Sequence, residues 1–477
     1  MPIRISNDAM GLLKEFDRKD RAKLGDELHR FAAELYPICR SITGDGIRRT
    51  FSIIGDRIPL KTFEVPTGTQ VFDWTVPKEW NIRDAYIKDS GGKRIVDFQA
   101  SNLHVLNYSA PIHAKMSLQD LKPHLFTIPQ KPDWTPYRTS YYKEDWGFCL
   151  SDNQMLALLD GEYEVRIDSR LEDGSLTYGE CYLPGQSSDE VLISCHACHP
   201  SLANDNLSGL SVAAFLAQLL SEQERRYSYR FLFIPGTIGA ITWLAQNQAN
   251  AKRIRHGLVL TGIGDKGKFH YKKSRQGDAE IDRAAAHVLT HITESHEILE
   301  FSPYGYDERQ YCSPGFNLAV GCLMRSVWGS YPEYHTSADN LDFIHPLQLA
   351  ESLRVCSAIV EVLERNKRYR NLNPYCEPQL GRRNLYRSTG GDSIGSEINA
   401  RLWVLNLSDG EHSLLDVAER SGLPFAAISD AAELLLQHEL LAVVPDEKRE
   451  STRRIPLTED DFRPSQSFSG RKPKLNL

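Results

Sequence analysis

Between Asp189 and Val360 the chain alternates apolar runs with amphipathic stretches, and this alternation constrains the fold more than any other feature. Val191-Leu-Ile-Ser194, Tyr229-Arg-Phe-Leu-Phe-Ile-Pro235, Gly257-Leu-Val-Leu260 and Leu318-Ala-Val-Gly-Cys-Leu-Met324 are largely apolar on consecutive residues. Strands covered on both faces need that pattern. Residues 207–220, 239–246, 281–291 and 345–364 carry a helical pattern instead, the last with Leu347, Leu349, Leu353, Val360 and Leu363 as apolar positions. Strands alternating with helices predict an α/β fold whose sheet is mostly parallel and covered by helices.

The flanking segments differ in pattern. Leu12, Leu13, Phe16, Leu24, Leu28 and Phe31 recur at helical spacing, and a second helical run starts at Ile47 after the polar turn Arg40-Ser-Ile-Thr-Gly-Asp-Gly46. Residues 1–57 therefore form an N-terminal helical part of the α/β domain. Residues 58–185 carry short alternating runs separated by Gly, Pro, Asp and Asn, the mark of an inserted all-β domain. Patterning leaves open whether that domain caps a site or builds a homodimer. Its aromatic stretch from Trp134 to Trp146 is expected to supply core and loop packing. The α/β domain proper covers 186–370, and a polar linker or wrap runs from 365 to 395. Helix, helix, helix and strand over 385–450 match a winged helix-turn-helix. Residues 451–477 are polar and expected to be disordered.

Charge narrows the partners. The 477 residues carry a net charge of −7, without the basic excess of a nucleic-acid binder. The would-be recognition helix, 425–438, has no Lys or Arg and contains Asp430 and Glu433. Phosphate contacts need cations, so this module is expected to dock on protein and not on DNA. No apolar leader follows Met1, and no run approaches the ~18 apolar residues of a membrane span. A cytoplasmic location is expected, with the nine cysteines as free thiols.

The chemistry is carried by residues just past strand ends. The run Val191–Ser194 leads into Cys195-His-Ala-Cys-His-Pro-Ser-Leu-Ala-Asn-Asp-Asn-Leu-Ser-Gly209. Open parallel sheets bind ligands beyond the carboxyl ends of their strands. His199 and Asp205 are well placed there to hold zinc, which accepts imidazole and carboxylate together. Asp307 and His335 lie in later loops. Each alone reads as a turn or cap residue; together, in this order, the four are more specific. Cys195 and Cys198 form a C-x-x-C with no second pair to complete a structural zinc site. Gly262-Ile-Gly-Asp-Lys-Gly267 follows a late strand and reads as a turn.

This order (His, Asp-Asn-x-Ser-Gly, Asp…Gly, Tyr-His-Thr-x-x-Asp) resembles the co-catalytic zinc aminopeptidases, an α/β family with two metals bridged by one Asp. The resemblance implies Asp205 as the bridging ligand, His199 and Asp307 at the first metal and His335 at the second. His196 is a rival for His199, and Asp339 would orient the His335 imidazole. Arg40–Gly46, Cys198-His-Pro-Ser201 and Glu333-Tyr-His-Thr-Ser-Ala-Asp-Asn340 resemble, more closely still, a bacterial aminopeptidase-like family. That family has a nested all-β domain and a C-terminal winged helix, and some members are associated with polysaccharide biosynthesis.

The pattern breaks at one place. Zinc aminopeptidases carry Glu-Glu after the next strand, the first as general base and the second as metal ligand. Here Gly236 and Thr237 stand there. Glycine cannot accept a proton, and losing a general base costs ~10²–10⁴-fold in rate. Glu308 and Glu333 are the candidate substitutes. The sequence thus predicts one or two zinc ions and a hydrolase for peptide or related amide substrates. The alternative is a weakened metal-binding scaffold for a peptide or amino-sugar ligand.

Overall fold

The computed structural model describes Gly11, Phe16, residues 20–386 and residues 395–445. The expected tail at 451–477 and most of the helical run before Asp20 lie outside the described residues.

Eight strands form the central sheet: β1 (Lys61–Pro66), β2 (Ser175–Leu183), β3 (Glu190–His196), β4 (Ser228–Ile234), β5 (Ile254–Leu260), β6 (Phe269–Lys272), β7 (His296–Leu299) and β8 (Val320–Met324). Their spatial order is β1-β2-β4-β3-β5-β8-β6-β7. The middle four, β4-β3-β5-β8, are mutually parallel. Every residue of β3 and β4 is buried, in keeping with their largely apolar runs, and the charged residues there, Glu190 and Arg230, pair at 2.7 Å.

Side chains alternate across the sheet. Val191, Ile193 and Cys195 face one core with α1 (Arg21–Leu35), α3 (Gly209–Ser221), α5 (Glu280–Ile292) and α6 (Pro346–Arg365). Leu192, Leu232 and Val259 face the other, which includes Ile238 and Trp243 of α4 (Ile238–Gln246). Asp20 caps α1 by accepting from the Ala22 and Lys23 amides. Pro346, first residue of α6, lacks only an amide that the helix would not use. A further helix, Asp45–Gly55, follows the polar turn at 40–46.

The segment 58–185 gives both its ends to the central sheet, where β1 and β2 pair from Lys61↔Glu180 to Pro66↔Ser175. Above this stem sits a separate antiparallel sheet, ordered Arg94–Asp97, Glu79–Lys88, Glu162–Glu172 and Ile112–Ser117. It has its own core around Ile87, Phe148, Val165 and Ile167.

The C-terminal module follows α6 directly. The polar segment expected as a linker starts with the strand Arg368–Asn371, which pairs with Asp409–Ser413 and Leu441–Val443. Its helices are α7 (Ser396–Leu407), α8 (Leu414–Ser421) and α9 (Phe425–Gln437). Ser413 and Asp416 form a reciprocal cap on α8, and Gly422 ends it at φ +69°, where a side chain would be strained. The module shares the apolar core of α5 and α6 through Leu415, Phe425 and Ile428, and ion pairs flank that contact. Arg365 of α6 binds Asp430 and Glu433 of α9 at 3.1 and 2.8 Å. Arg283 of α5 binds Asp416 at 2.6 Å, and also Glu419. The acidic residues of the would-be recognition helix therefore face the α/β domain. No helix among the described residues is long and apolar enough to cross a membrane.

His287 of α5 accepts a hydrogen bond from the Phe425 amide at 3.0 Å. Burial, aided by neighbouring His291, lowers it from 6.5 to about 4. The folded state keeps it neutral while the unfolded chain protonates first, so its contribution is lost as pH falls from about 6.5 towards about 4. Tm measured across this range is expected to fall less steeply in His287→Gln, whose amide oxygen keeps the acceptor without the titration.

Candidate metal centre

β3 ends at His196, and the chain turns through Cys198 and His199 into an irregular helical turn, Ala203–Ser208, that leads into α3. Backbone in this turn cannot satisfy itself, and neighbouring side chains hold it. Asp339 accepts from the Asn204 amide at 2.6 Å and the Asp205 amide at 3.0 Å. Asn204 donates to Asp265 at 2.8 Å and accepts from the Gly264 amide at 2.8 Å. The Gly262–Gly267 loop, read as a turn, thus also supports the segment carrying Asp205.

Asp205 is 1% exposed, and three imidazoles surround its carboxylate. His196 Nε2 lies 2.7 Å from Oδ1. His335 Nε2 and His199 Nε2 lie 3.0 and 3.9 Å from Oδ2. Burial favours the protonated acid, but the His199 and His196 rings outweigh it and hold Asp205 well below the usual carboxylate range. Burial pulls His199 well below the ordinary imidazole range, with the Asp205 carboxylate opposing that shift.

This donor set fits zinc. Two donors at about 2.0–2.1 Å from a tetrahedral ion lie about 3.3 Å apart, and the nitrogen–oxygen separations here bracket that value. Ligand atoms of His196, His199 and Asp205 all lie within 4.8 Å of one another. His196, given as a rival or supporting residue, thus sits in the innermost cluster, and His335 closes on the opposite oxygen.

The remaining expected residues are placed differently. Asp307 is fully buried, and neither of its carboxylate oxygens has a hydrogen-bond partner among the described residues. Burial and adjacent Glu308 push it well above the carboxylate range. Asp339 grips the main chain at 204–205, whereas it was expected to orient the His335 ring. Glu308 is buried and paired with Lys272 at 2.8 Å, so a cation already engages its charge. Glu333 is half-buried, and its carbonyl accepts from the Thr336 hydroxyl at 2.8 Å.

Tyrosines are what the sequence reading missed. Tyr306 donates to Asp205, 2.9 and 2.8 Å from its two oxygens, and stacks on His196 with ring centres 4.2 Å apart. Tyr334 stacks on His335 at 3.9 Å and meets the Tyr306 hydroxyl at 3.1 Å. Together with Trp328 and Tyr331 they line a narrow cleft beside Asp205. A signal was present, since a tyrosine immediately precedes each downstream candidate: Tyr306-Asp307 and Tyr334-His335. Tyr137 of the inserted segment also packs here, 5.0 and 5.1 Å from the His199 and His335 rings. The aromatic stretch read as core and loop packing therefore reaches the metal centre.

A family model described as a domain of unknown function, DUF4910, matches residues 29–366. The chain belongs to the DUF4910 family. A winged helix-turn-helix model matches 367–443. A protein of Clostridium acetobutylicum, provisionally named a polysaccharide biosynthesis protein with an aminopeptidase-like domain, is 51% identical over 427 residues, covering 89% of this chain and 98% of that one. The crystal structure of a Clostridium acetobutylicum protein provisionally called a peptidase superposes with TM-score 0.86 at 50% identity, covering 91% and 100% of the two chains. A zinc aminopeptidase of Bacillus subtilis, 12% identical, shares the fold at TM-score 0.53, covering 71% and 94%. The DUF4910 region of this chain is thus an aminopeptidase-like α/β fold.

Gly236 is closely packed within that fold. A Cβ built there would meet His196 Cβ at 2.9 Å and Asp307 Oδ1 at 3.5 Å. Gly236→Ala is expected to cost about 1–3 kcal/mol through overpacking. The loss should appear in thermal or denaturant unfolding, with Gly91→Ala, which meets nothing closer than a side-chain oxygen at 3.3 Å, as the milder control.

Proposed function

We propose that this chain is a zinc-dependent, aminopeptidase-like hydrolase of peptide or related amide bonds, with His199, Asp205, Asp307 and His335 as ligands and His196 beside them. The observation that carries this reading is one buried carboxylate ringed by three imidazoles just beyond a parallel strand. Asp307 supports the reading through its two buried oxygens, which have no hydrogen-bond partner among the described residues. Zinc supplies Lewis acidity, polarising a carbonyl and lowering the pKa of water. The chain's own residues would do the rest. Asp205 keeps its charge at all physiological pH. Tyr306 holds that carboxylate in place, and burial keeps its own proton on well above the usual phenol range. Tyr306, Trp328, Tyr331 and Tyr334 wall the side of Asp205 and limit water there. The activity would be cytoplasmic, with no role for nucleic acid. The relative's name adds polysaccharide biosynthesis as a setting for such an activity.

A second reading is a metal-binding scaffold with weakened catalysis. Gly236 provides no base, its surroundings leave no free space for a side chain, and Glu308 is neutralised by Lys272. Elemental analysis tests what both readings share. Wild type is expected to carry near-stoichiometric zinc, and Asp205→Ala to lose it while remaining folded; a metal-free wild type would leave neither reading standing. Gly236→Glu then separates the two. A zinc-loaded variant that gains ~10²-fold or more in turnover supports the hydrolase. Zinc-loaded wild type and variant that both stay inert on a panel of peptides and amino-sugar amides support the scaffold.

A further inference from the structure

The inserted domain and the Arg40–Gly46 turn have no part in the ligand set, yet both end on it. Residues 135–137 run antiparallel to 335–337. Tyr137 donates its amide to the His335 carbonyl and Ser337 donates to the Thr135 carbonyl, each at 2.8 Å. Pro136 pairs with Thr336, and the Thr135 amide donates to the Ser337 hydroxyl at 3.0 Å. His335 sits at φ +54°, a left-handed conformation that a non-glycine residue adopts only when its surroundings impose it.

The partner histidine is held in the same way from the other side. Arg40 is fully buried, and it donates Nε to the His199 carbonyl at 2.9 Å and Nη1 to the Leu35 carbonyl at 2.6 Å. One residue joins the two anchors. Asn107, itself in the inserted segment, donates its side-chain amide to the Arg40 carbonyl at 2.8 Å and accepts from the Ser41 hydroxyl at 2.6 Å. Its main chain exchanges bonds with Arg138 and Ser140 at 2.8 and 2.9 Å. A continuous path therefore runs from the His199 carbonyl through Arg40, Asn107 and residues 138–140 to Tyr137 and the His335 carbonyl. The ring of Tyr137 fills the angle between the two imidazoles.

We infer that Arg40, Asn107 and Tyr137 are positioning residues that set the separation and tilt of His199 and His335, so that the all-β insertion is a working part of the metal centre. This inference rests on the proposed metal role of the two histidines. The physical reason is local. Both histidines lie in loops, where the backbone has no ladder to fix it, and one is strained. A ligand pair held only by loops would adjust to any cation; one clamped at both carbonyls is preorganised for a single geometry.

Three variants and two readouts test it. In zinc titration of the metal-free protein, Tyr137→Leu and Asn107→Ala are expected to weaken binding by about 10–100-fold, the usual effect of losing the groups that orient metal ligands. Tyr137→Phe keeps the ring and the backbone bond, and is expected to bind within about twofold of wild type by the same principle. Hydrogen exchange on the metal-free proteins reads the clamp without zinc. Amides at 335–337 should exchange at least about tenfold faster in Tyr137→Leu than in wild type or Tyr137→Phe, with the central sheet unchanged. Wild-type affinity in Tyr137→Leu, or unchanged exchange at 335–337, overturns the inference. If wild type itself binds no zinc, the metal reading fails, and the exchange data still decide whether the insertion holds the loop.

Discussion

A carboxylate removed from water must find opposite charge or hydrogen-bond donors, and Asp205 finds both. Unpaired, a buried charge of this kind costs several kcal/mol. Three imidazoles and a phenol converge on it, and they come from three separate stretches of the chain. His196 and His199 come from the end of β3, Tyr306 from the loop before Glu308, and His335 from the loop before α6. The parallel sheet is the means by which such distant segments meet. Four parallel strands end on one side, and the loops leaving them share one rim. Asp339 and Asp265 then support the turn that carries Asp205, so that charge is shared across the rim without surfacing.

The parts of this arrangement that follow a local rule could be read from the chain alone. Largely apolar runs on consecutive residues mark β3 and β4 because a strand covered on both faces has no solvent side. His199 and Asp205 stand out because they follow such a strand directly. Other parts have no local rule. Nothing in Tyr137 marks it as a neighbour of His335, which lies in another domain, and only a fold that returns the insertion to the rim brings them together. The family resemblance implies Asp339 as the partner of the His335 ring; in the fold its carboxylate accepts from the buried amides of Asn204 and Asp205. The insertion was placed by its alternating pattern, but its ends alternate in the same way and belong to the central sheet.

The C-terminal module shows how composition and position combine. An acidic recognition helix argued against DNA, and its docking supplies the positive reason for the acids: Asp430 and Glu433 answer Arg365, and Asp416 and Glu419 answer Arg283. The two arginines belong to the helices that cover one face of the sheet. The module is therefore an extension of that layer, joined to it through the last residue of α6.

Gly236 has a consequence for any attempt to rebuild this rim. His196 Cβ lies within 2.9 Å of where a Cβ at 236 would stand, and its ring already meets Asp205 and Tyr306. A side chain added at 236 alone therefore presses on a residue with two partners to keep. A laboratory lineage that gains an acid there has to shift His196 in the same step or before it.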